Sequence, residues 1–324
     1  MKTFFKVLGI IILIIVIFLV TMFISGYLYL NSKLSQMQQV EIDENNLNVA
    51  DQVEQQLSGY RNIAIYGVDS RDSDLGEGNR SDCIIIASIN NDTKEINLVS
   101  VYRDTYVEIE GYGLDKITHA YSYGEAPLAI KTLNTNLDLN ITEFVTVNFD
   151  AVKDIIDNIG GISMNITSEE VSHIPGISKA GTYNLTGEQA LAYARIRHAT
   201  GGDYKRTERM RDVLTAVANK VKTFNVSQLN KFIDFVLPKI YTNITAADIF
   251  SLMPSATSFK ITDSIGWPYE TKGITLDRWY GVPITLESNV TRLHQEVFEE
   301  SDYTPSDTVK QISDSIAQKT GYSK

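Results

Sequence analysis

Cysteine is almost absent from this chain of 324 residues, and its scarcity excludes two kinds of site. The single thiol, Cys83, can neither form a disulfide within the chain nor build a zinc site that needs several cysteines. Cys83 lies inside the apolar run CIIIASI, which predicts a buried and unreactive thiol.

Positive net charge is also lacking, because the formal net charge is -11 and the isoelectric point is ≈ 4.9. Nonspecific nucleic-acid binding draws most of its affinity from Lys and Arg that neutralise phosphates. The sequence contains neither a helix-turn-helix nor a zinc-finger pattern, so we expect no nucleic-acid partner and no transcriptional regulator. Only seven prolines are present, and 43% of the residues are hydrophobic, as in a folded protein of one large or two ordinary domains.

A long hydrophobic run stands near the N-terminus. Val7 to Ile24 carry no charge and one conventional polar group, Thr21. About 20 apolar residues span a bilayer, whereas a cleaved signal peptide has an apolar core of roughly 7–15 residues and a small-residue cleavage site. No such cleavage site follows, and Lys2 and Lys6 favour a cytoplasmic N-terminus.

The run therefore predicts a cytoplasmic tip over residues 1–6 and a single transmembrane anchor over 7–30. A polar extracellular stalk is expected over 31–57, and the folded region is expected outside the cell. The scarcity of cysteine fits a bacterial exterior that does not depend on disulfides.

Three apolar runs open the folded region. NIAIYGVD predicts a strand that ends at Asp69, CIIIASI a strand opened by Asp82, and INLVSVY a strand that ends at Arg103-Asp104. The short polar turn NNDTKE joins the second run to the third, which indicates a hairpin. In a hairpin the end of the third strand lies beside the start of the second, so Arg103 is expected near Asp82. If the first strand neighbours the second, Asp69 and Arg80 join them at one sheet edge.

Helices and strands alternate downstream. ITEFVTVNF and ISMNIT read as strands, AVKDIIDNI as a helix closed by Gly160-Gly161, and Thr186 to Gln189 as a capping box that starts another helix. The predicted fold class is α/β (α+β), with a mixed central β-sheet flanked by helices and preceded by one N-terminal transmembrane helix. The residues from 301 to 324 are expected to form a polar tail.

Arginine is concentrated in the segment ARIRHATGGDYKRTERMR. Five of the eleven arginines lie there, namely Arg195, Arg197, Arg206, Arg209 and Arg211. Arg195 and Arg197 are two residues apart, so on extended backbone both project to the same side. Arg206 lies one turn before the apolar stripe of a long helix and on the same face, which predicts a guanidinium at the helix N-terminus, where anions bind.

Two aspartates beside several arginines fit a centre that handles a diphosphate with Mg²⁺ or another divalent cation such as Mn²⁺. From composition and spacing alone, a structural ion-pair network explains the same residues equally well.

The segments that hold these residues resemble the LytR-CpsA-Psr family of bacterial cell-envelope proteins. The resemblance covers roughly residues 60–225 and rests on seven ordered matches: GVDSR (67–71), RSDCIIIASIN (80–90), INLVSVYRDTYV (96–107), KITHAYSYG (116–124), VNFDAVKDIIDNIGGI (147–162), GTYNLTGEQALAYARIRH (181–198) and the run from Asp203 to Arg209. It implies a catalytic domain over residues 58–300.

The resemblance implies a membrane-anchored phosphotransferase. Such an enzyme moves a teichoic acid or capsular polysaccharide from a polyprenyl-pyrophosphate carrier to peptidoglycan and forms a phosphodiester. The family's metal-binding aspartates correspond to Asp69 and Asp82, which with Arg103 are the catalytic candidates. Its pyrophosphate-binding arginines correspond to the following residues: Arg80, Arg103, Arg195, Arg197 and Arg206. A tunnel for the prenyl chain is expected beside the helices Leu128–Leu137 and Val213–Val221.

Two departures from the family pattern concern the site. Met210 stands where the family usually has glutamine, and the loop after Asp69 is slightly long, so Asp72 and Asp74 are alternatives to Asp69. The sequence does not identify a general base among Asp104, His119 and His198, and both histidines are interpreted as bystanders. Arg71 and Arg211 are interpreted as solvated.

Two other functions remain open from the sequence. A polyprenyl-pyrophosphate pyrophosphatase would use water as the acceptor, and a non-catalytic protein would bind the lipid carrier without breaking a bond. Carboxylates beside a bound anion favour catalysis over simple binding, because they require a metal ion between them and the anion.

Overall fold

A computed structural model describes residues 26–29, 31–32, 35, 38–70, 75–76, 78–197, 202–245, 248 and 258–323. The described strands are β1 (Gln38–Gln39), β2 (Tyr60–Val68), β3 (Ser81–Asn90), β4 (Glu95–Val101), β5 (Tyr106–Ile109), β6 (Gly113–Lys116), β7 (Glu143–Asn148), β8 (Ile162–Ile166), β9 (Gly181–Leu185), β10 (Tyr241–Thr242), β11 (Lys260–Trp267), β12 (Thr271–Thr275) and β13 (Trp279–Pro283).

The described helices are α1 (Asp51–Gln56), α2 (Ile117–Leu137), α3 (Phe149–Asn158), α4 (Gly187–Ala194), α5 (Gly202–Val221), α6 (Val226–Val236), α7 (Leu286–Val297) and α8 (Asp307–Thr320). Helix α2 is interrupted by non-helical backbone at Gly124 and Glu125. The predicted capping box at the start of α4 is confirmed, because the Thr186 side chain accepts from the Gln189 N–H and the Gln189 side chain accepts in return from the Thr186 N–H.

The main sheet is mixed, with the strand order β1-β10-β7-β2-β3-β4-β11. Strands β2, β3 and β4 are antiparallel neighbours, whereas β7 pairs parallel with β2, and β11 pairs parallel with β4. The predicted hairpin and the neighbouring position of the first strand are therefore confirmed. The described residues also confirm the predicted α+β class, a central mixed sheet flanked by helices.

Alternate side chains of the strands enter two different cores. Tyr66 and Ile86 pack with α2, α7 and α8 on one face of the sheet. Ile85 and Ala87 face the other side, where Leu214 of α5 packs against them. Helices α3, α4 and α5 share a second large core on that side with β8 and β9. The sheet is thus the middle layer between two layers of helices.

Two predictions of peripheral polar segments are wrong. The expected stalk joins the fold before it ends, because Leu47, Val53 and Leu57 are buried in the core under α2. The expected polar tail contains α8, which buries Val309 and Ile316 in the same core. In both segments the few apolar residues lie on one side of a helix or turn. Their spacing lets the segment pack on the core although its overall composition is polar.

Outside the main sheet, β12 and β13 form an antiparallel hairpin whose turn lies between Thr275 and Trp279. No helix in the described ranges is long and apolar enough to cross a bilayer. The predicted anchor, Val7 to Ile24, lies outside the described residues.

Candidate active site

The ends of three neighbouring strands position the candidate site. Strands β2 and β7 are parallel, with Val68 beside Asn148, so Asp69 and Phe149 leave the sheet at the same edge. Strand β3 begins at this edge, and its register with β2 shifts so that Gly67 pairs with Cys83 while Val68 pairs with Ser81. Asp82 is the extra residue of this bulge. Bulges re-aim side chains beside functional sites, and this one occurs at a catalytic candidate.

A cleft of about 560 Å³ opens at this edge. Its walls combine carboxylates, guanidinium groups and two large apolar side chains. The lining residues are Asp69, Ser70, Asp82, Phe149, Asp150, Arg195, Arg197, Arg206 and Met210. The structure thus brings together both predicted aspartates and three of the five predicted pyrophosphate-binding arginines.

Arg103 lies against the cleft through Asp82. Its Nη1 donates to Oδ1 of Asp82 at 2.7 Å, as the hairpin register predicted. Asp104 contacts the same guanidinium at 3.5 Å and also accepts from Lys116 Nζ at 2.7 Å. Asp104 is therefore engaged with cations and does not line the cleft, which argues against its use as a general base.

Arg195 and Arg197 follow the C-terminus of α4. Both are exposed and line the cleft, while Ile196 between them is buried. The extended backbone on which the same-side prediction depended is not present at Arg195, which has helical dihedral angles (φ -93°, ψ 0°) as the C-cap of α4. Arg195 Nη2 is 3.7 Å from Oδ1 of Asp69, and its guanidinium lies over the Phe149 ring at 4.7 Å.

Arg206 is only 2% exposed, although it lines the cleft from the first turns of α5. The prediction that this arginine faces inward near a helix N-terminus is confirmed. Arg80 differs from the other candidates, because its side chain is exposed and does not line the cleft.

Two further arginines of the segment have structural partners. Arg209 is buried, and its Nε donates to Oε1 of Glu170 at 2.8 Å while its Nη1 donates to the carbonyl of Ile196 at 3.3 Å. The interpretation of Arg211 as solvated is wrong, because it is 4% exposed and its Nε donates to Ser264 Oγ at 2.6 Å. Burial lowers the pKa of Arg211.

His119, interpreted from the sequence as a bystander, does not line the described cleft. His119 Nδ1 lies 2.8 Å from Oδ2 of Asp115, which also accepts from the Tyr123 hydroxyl at 2.8 Å. His198 lies outside the described residues, as do Arg71 and the alternative carboxylates Asp72 and Asp74.

An apolar cavity of about 300 Å³ lies directly behind the cleft, between the sheet and α3, α4, α5 and α6. Phe149 and Met210 line both spaces. Helix α5 contributes Val213 and Val217, as expected for a prenyl tunnel. The expectation for Leu128–Leu137 is wrong, because those residues pack under the opposite face of the sheet, where Ile130 and Leu133 are fully buried.

Cys83 lines the apolar cavity as well, and burial raises the pKa of its thiol to about 12. A thiol with so high a pKa is almost entirely protonated at neutral pH and is a poor nucleophile. The apolar surroundings of Cys83 therefore agree with the prediction of an unreactive thiol.

Sequence reasoning missed Phe149, Asp150 and Ser70. The segment VNFD follows the predicted strand ITEFVTV, and a parallel pairing of that strand with NIAIYGV places its end beside Asp69. The segment VNFD is easily found in the sequence, but only the order of the strands in the sheet shows that it lies beside Asp69.

The carboxylates of the cleft fit a hard divalent cation. Asp69, Asp82 and Asp150 offer oxygen donors, and Mg²⁺ is typically bound through one or two carboxylates together with substrate phosphates and water. Within the described ranges, no group of three or more His, Cys, Asp or Glu side chains is arranged to hold a metal by itself.

The geometry suits an amphiphilic anion. Arginine forks bind phosphate oxygens in pairs, and carboxylates beside them give a cation a place between protein and phosphate. The apolar cavity behind the cleft offers an adjoining space for a hydrocarbon chain.

Comparisons with known proteins find similar sequences and a similar fold. The sequence model of the LytR_cpsA_psr family matches residues 24–280. The polyisoprenyl-teichoic acid–peptidoglycan teichoic acid transferase TagT of Bacillus subtilis (strain 168) is 32% identical over 227 residues, 65% of this chain and 70% of that protein. A transferase of the same description, TagU of Bacillus cereus (strain AH820), is 31% identical over 268 residues, 80% of this chain and 86% of that protein. The crystal structure of B. subtilis TagV superposes with a TM-score of 0.63 at 27% identity, covering 76% of this chain and 98% of that one.

Proposed function

This chain belongs to the LytR_cpsA_psr family, and from that premise we propose that it transfers a teichoic-acid-class glycopolymer from a polyprenyl-pyrophosphate carrier to peptidoglycan. The proposal rests on one observation, which is that the charged cleft adjoins the apolar cavity. The charged cleft and the apolar cavity share Phe149 and Met210, so one ligand with an anionic head and a hydrocarbon tail fits both.

The proposed reaction joins an acceptor sugar hydroxyl to the glycan-bearing phosphorus. A new P–O bond forms there, the bond from that phosphorus to the bridging oxygen breaks, and polyprenyl phosphate leaves with the electron pair. The acceptor hydroxyl loses its proton to solvent water in the cleft. The product is a phosphodiester between glycan and peptidoglycan.

The arginines of the cleft bind and orient the pyrophosphate. Arg195, Arg197 and Arg206 line the space from one side and offset the charge that develops on the leaving phosphate. Arg103 fixes the Asp82 carboxylate through their 2.7 Å contact. Asp82 and Asp69 would hold Mg²⁺ or Mn²⁺, which supplies Lewis-acid polarisation of the phosphate oxygens.

The proposal includes the location of the enzyme. The apolar run Val7 to Ile24 anchors the chain in the cytoplasmic membrane with the N-terminus inside, and the catalytic domain lies on the outer side where peptidoglycan is found.

A transfer assay tests the proposal. The full-length chain is incubated with a polyprenyl-pyrophosphate glycan, a peptidoglycan oligosaccharide and Mg²⁺, and the products are identified by mass spectrometry. Asp82→Asn and Arg103→Gln are each expected to lower transfer by about 10²–10³-fold, because each removes a charged group from the reacting centre. Asp92→Asn, in the exposed turn between β3 and β4, is the matched control and is expected to retain activity.

The same assay separates the two alternatives. Release of free glycan phosphate without a conjugate would identify a pyrophosphatase. Tight binding of intact donor without turnover, for several glycan donors, would identify a carrier-binding protein.

A further inference from the structure

The apolar cavity has a second neighbouring space, at the far ends of the helices that form the active-site cleft. A groove of about 330 Å³ is lined by the last residues of α3, the end of α5 and the start of α6. Phe232 lines both this groove and the apolar cavity. Arg206 in the cleft and Lys220 in the groove belong to the same helix, and their separation in sequence corresponds to about 20 Å along its axis.

The end of α5, the connection to α6 and the first turns of α6, which lie beside this groove, are apolar and basic. Val226 is 85% exposed and Leu229 is 39% exposed. Three lysines accompany them, Lys220, Lys222 and Lys231, and no Asp or Glu occurs between residues 220 and 233. We refer to these five residues as the α5–α6 face.

Helix α6 itself is amphipathic but only partly packed. None of its residues is fully buried, although Phe232 contacts Phe224 edge to face with ring centroids 5.9 Å apart. Its inner side covers the apolar cavity through Phe232 and Val236, while Val226 and Leu229 point to solvent. Exposed apolar side chains framed by lysines are the features of a helix that lies at a membrane surface.

Two described parts of the N-terminal region contact α6 or the strand after it. The exposed Tyr29 donates its hydroxyl proton to the Asn230 side chain of α6. Further along, Gln38–Gln39 pairs with Tyr241–Thr242, which follows α6 in the chain. Tyr29 and Gln38–Gln39, described residues that come after the apolar run Val7 to Ile24 in the chain, are therefore in contact with α6 and with the strand that follows it.

We propose that the α5–α6 face docks on the anionic surface of the membrane and that the prenyl chain enters the apolar cavity through the groove beside Phe232. This inference rests on the proposed function, because it supplies the route by which a membrane-embedded donor reaches the cleft. Phospholipid phosphates complement the three lysines, and Val226 and Leu229 enter the interface between headgroups and acyl chains.

A quenching experiment tests the docking without any need for activity. Val226→Cys is labelled with an environment-sensitive fluorophore in a full-length chain that also carries Cys83→Ser, so that only one thiol is present. The protein is reconstituted in vesicles of phosphatidylglycerol and phosphatidylcholine with brominated acyl chains. Ser315→Cys on the exposed side of α8 is the matched control.

We expect the label at position 226 to be quenched and blue-shifted, and the label at position 315 to be unaffected. Vesicles of phosphatidylcholine alone should weaken the effect at 226. Absence of quenching at 226, or equal quenching at both positions, would overturn the docking.

A transfer experiment tests the entry route. In the triple variant Lys220→Ser, Lys222→Ser and Lys231→Ser, transfer from a long-chain donor embedded in anionic vesicles is expected to fall by about tenfold or more, since each lysine near the surface contributes to membrane attraction. Transfer from a short-chain, water-soluble donor should be unchanged. The control replaces three other exposed lysines, Lys179, Lys260 and Lys319, by serine.

Equal loss with both donors, or equal loss in the control triple variant, would refute the entry route. If the unmodified chain transfers neither donor, the proposed function fails, whereas the quenching result still decides whether the face docks.

Discussion

At the scale of single residues, the arginines of the segment 195–211 divide into two groups. Arg195, Arg197 and Arg206 line the cleft, whereas Arg209 is buried against Glu170 and donates to the carbonyl of Ile196. Because Ile196 lies between Arg195 and Arg197, the Arg209 contact fixes the backbone that carries both. One buried ion pair thus positions two of the cations proposed to bind pyrophosphate.

This pair predicts a pH-dependent stability. Burial alone would raise the pKa of Glu170, but the Thr167 N–H and the Arg209 guanidinium outweigh it and lower that pKa below its ordinary value. The stabilisation is therefore present above the unfolded-state pKa, about 4.3, and is lost as the pH falls through the lower folded-state pKa. Glu170→Gln is expected to lower the free energy of unfolding at pH 7 by about 3–5 kcal/mol, because it leaves a buried guanidinium without its partner.

Urea denaturation between pH 7 and pH 3 checks this prediction. The gap between Glu170→Gln and the unmodified chain should shrink below about pH 4, as Glu170 becomes protonated. The control is Glu296→Gln, which breaks an exposed pair with Arg292 and should cost no more than about 1 kcal/mol. A gap that stays constant at every pH would mean that the Glu170 charge contributes nothing.

At the scale of elements, hairpin register predicts the contact between Arg103 and Asp82, because consecutive antiparallel strands leave little choice of partner. The prediction for Arg195 and Arg197 assumed extended backbone, whereas the preceding helix α4 continues to its C-cap at Arg195 and gives that residue helical dihedral angles. The bulge at Asp82 and the approach of β7 to β2 depend on pairings between distant segments, which no local pattern encodes.

The close approach of β2 and β3 at the bulge predicts the effect of adding one methyl group at Gly67. A Cβ atom on Gly67 would lie 2.8 Å from the Cβ of Cys83, so Gly67→Ala must push β3 away from β2 beside Asp82. We expect a loss of about 1–3 kcal/mol in the free energy of unfolding, from overpacking, together with reduced transfer. Thermal unfolding and the transfer assay measure the two effects.

A double-mutant cycle identifies the cause. Cys83→Gly removes the atom that clashes, so the double variant Gly67→Ala with Cys83→Gly should be more stable than the sum of the two single effects allows. Additive losses would show that the contact between these positions does not determine the geometry of the bulge.

At the scale of the whole molecule, the helices on one face of the sheet form the candidate site and those on the other face form the larger core. The layer of α3, α4, α5 and α6 holds the apolar cavity and contributes Phe149, Arg206 and Met210 to the cleft. The layer of α2, α7 and α8 buries the larger core. The polar composition of α8 does not indicate that it packs in this core. Only three apolar positions at helical spacing do so, namely Val309, Ile312 and Ile316.

The truncation of residues 301–324 tests whether this segment is part of the fold. It removes Val309, Ile312 and Ile316 from the core and also Tyr303, whose hydroxyl donates to Asp138 at 2.5 Å. Burial of each such side chain contributes about 1.5–3 kcal/mol, so the total approaches the whole stability of an ordinary domain, about 5–15 kcal/mol. We expect the shortened chain to unfold at a much lower temperature and to be cleaved readily by protease, whereas removal of residues 322–324 alone should change stability by about 1 kcal/mol or less. Equal unfolding temperatures for the full chain and the chain ending at residue 300 would show that α8 contributes nothing to the core and behaves as the polar tail that its composition predicts.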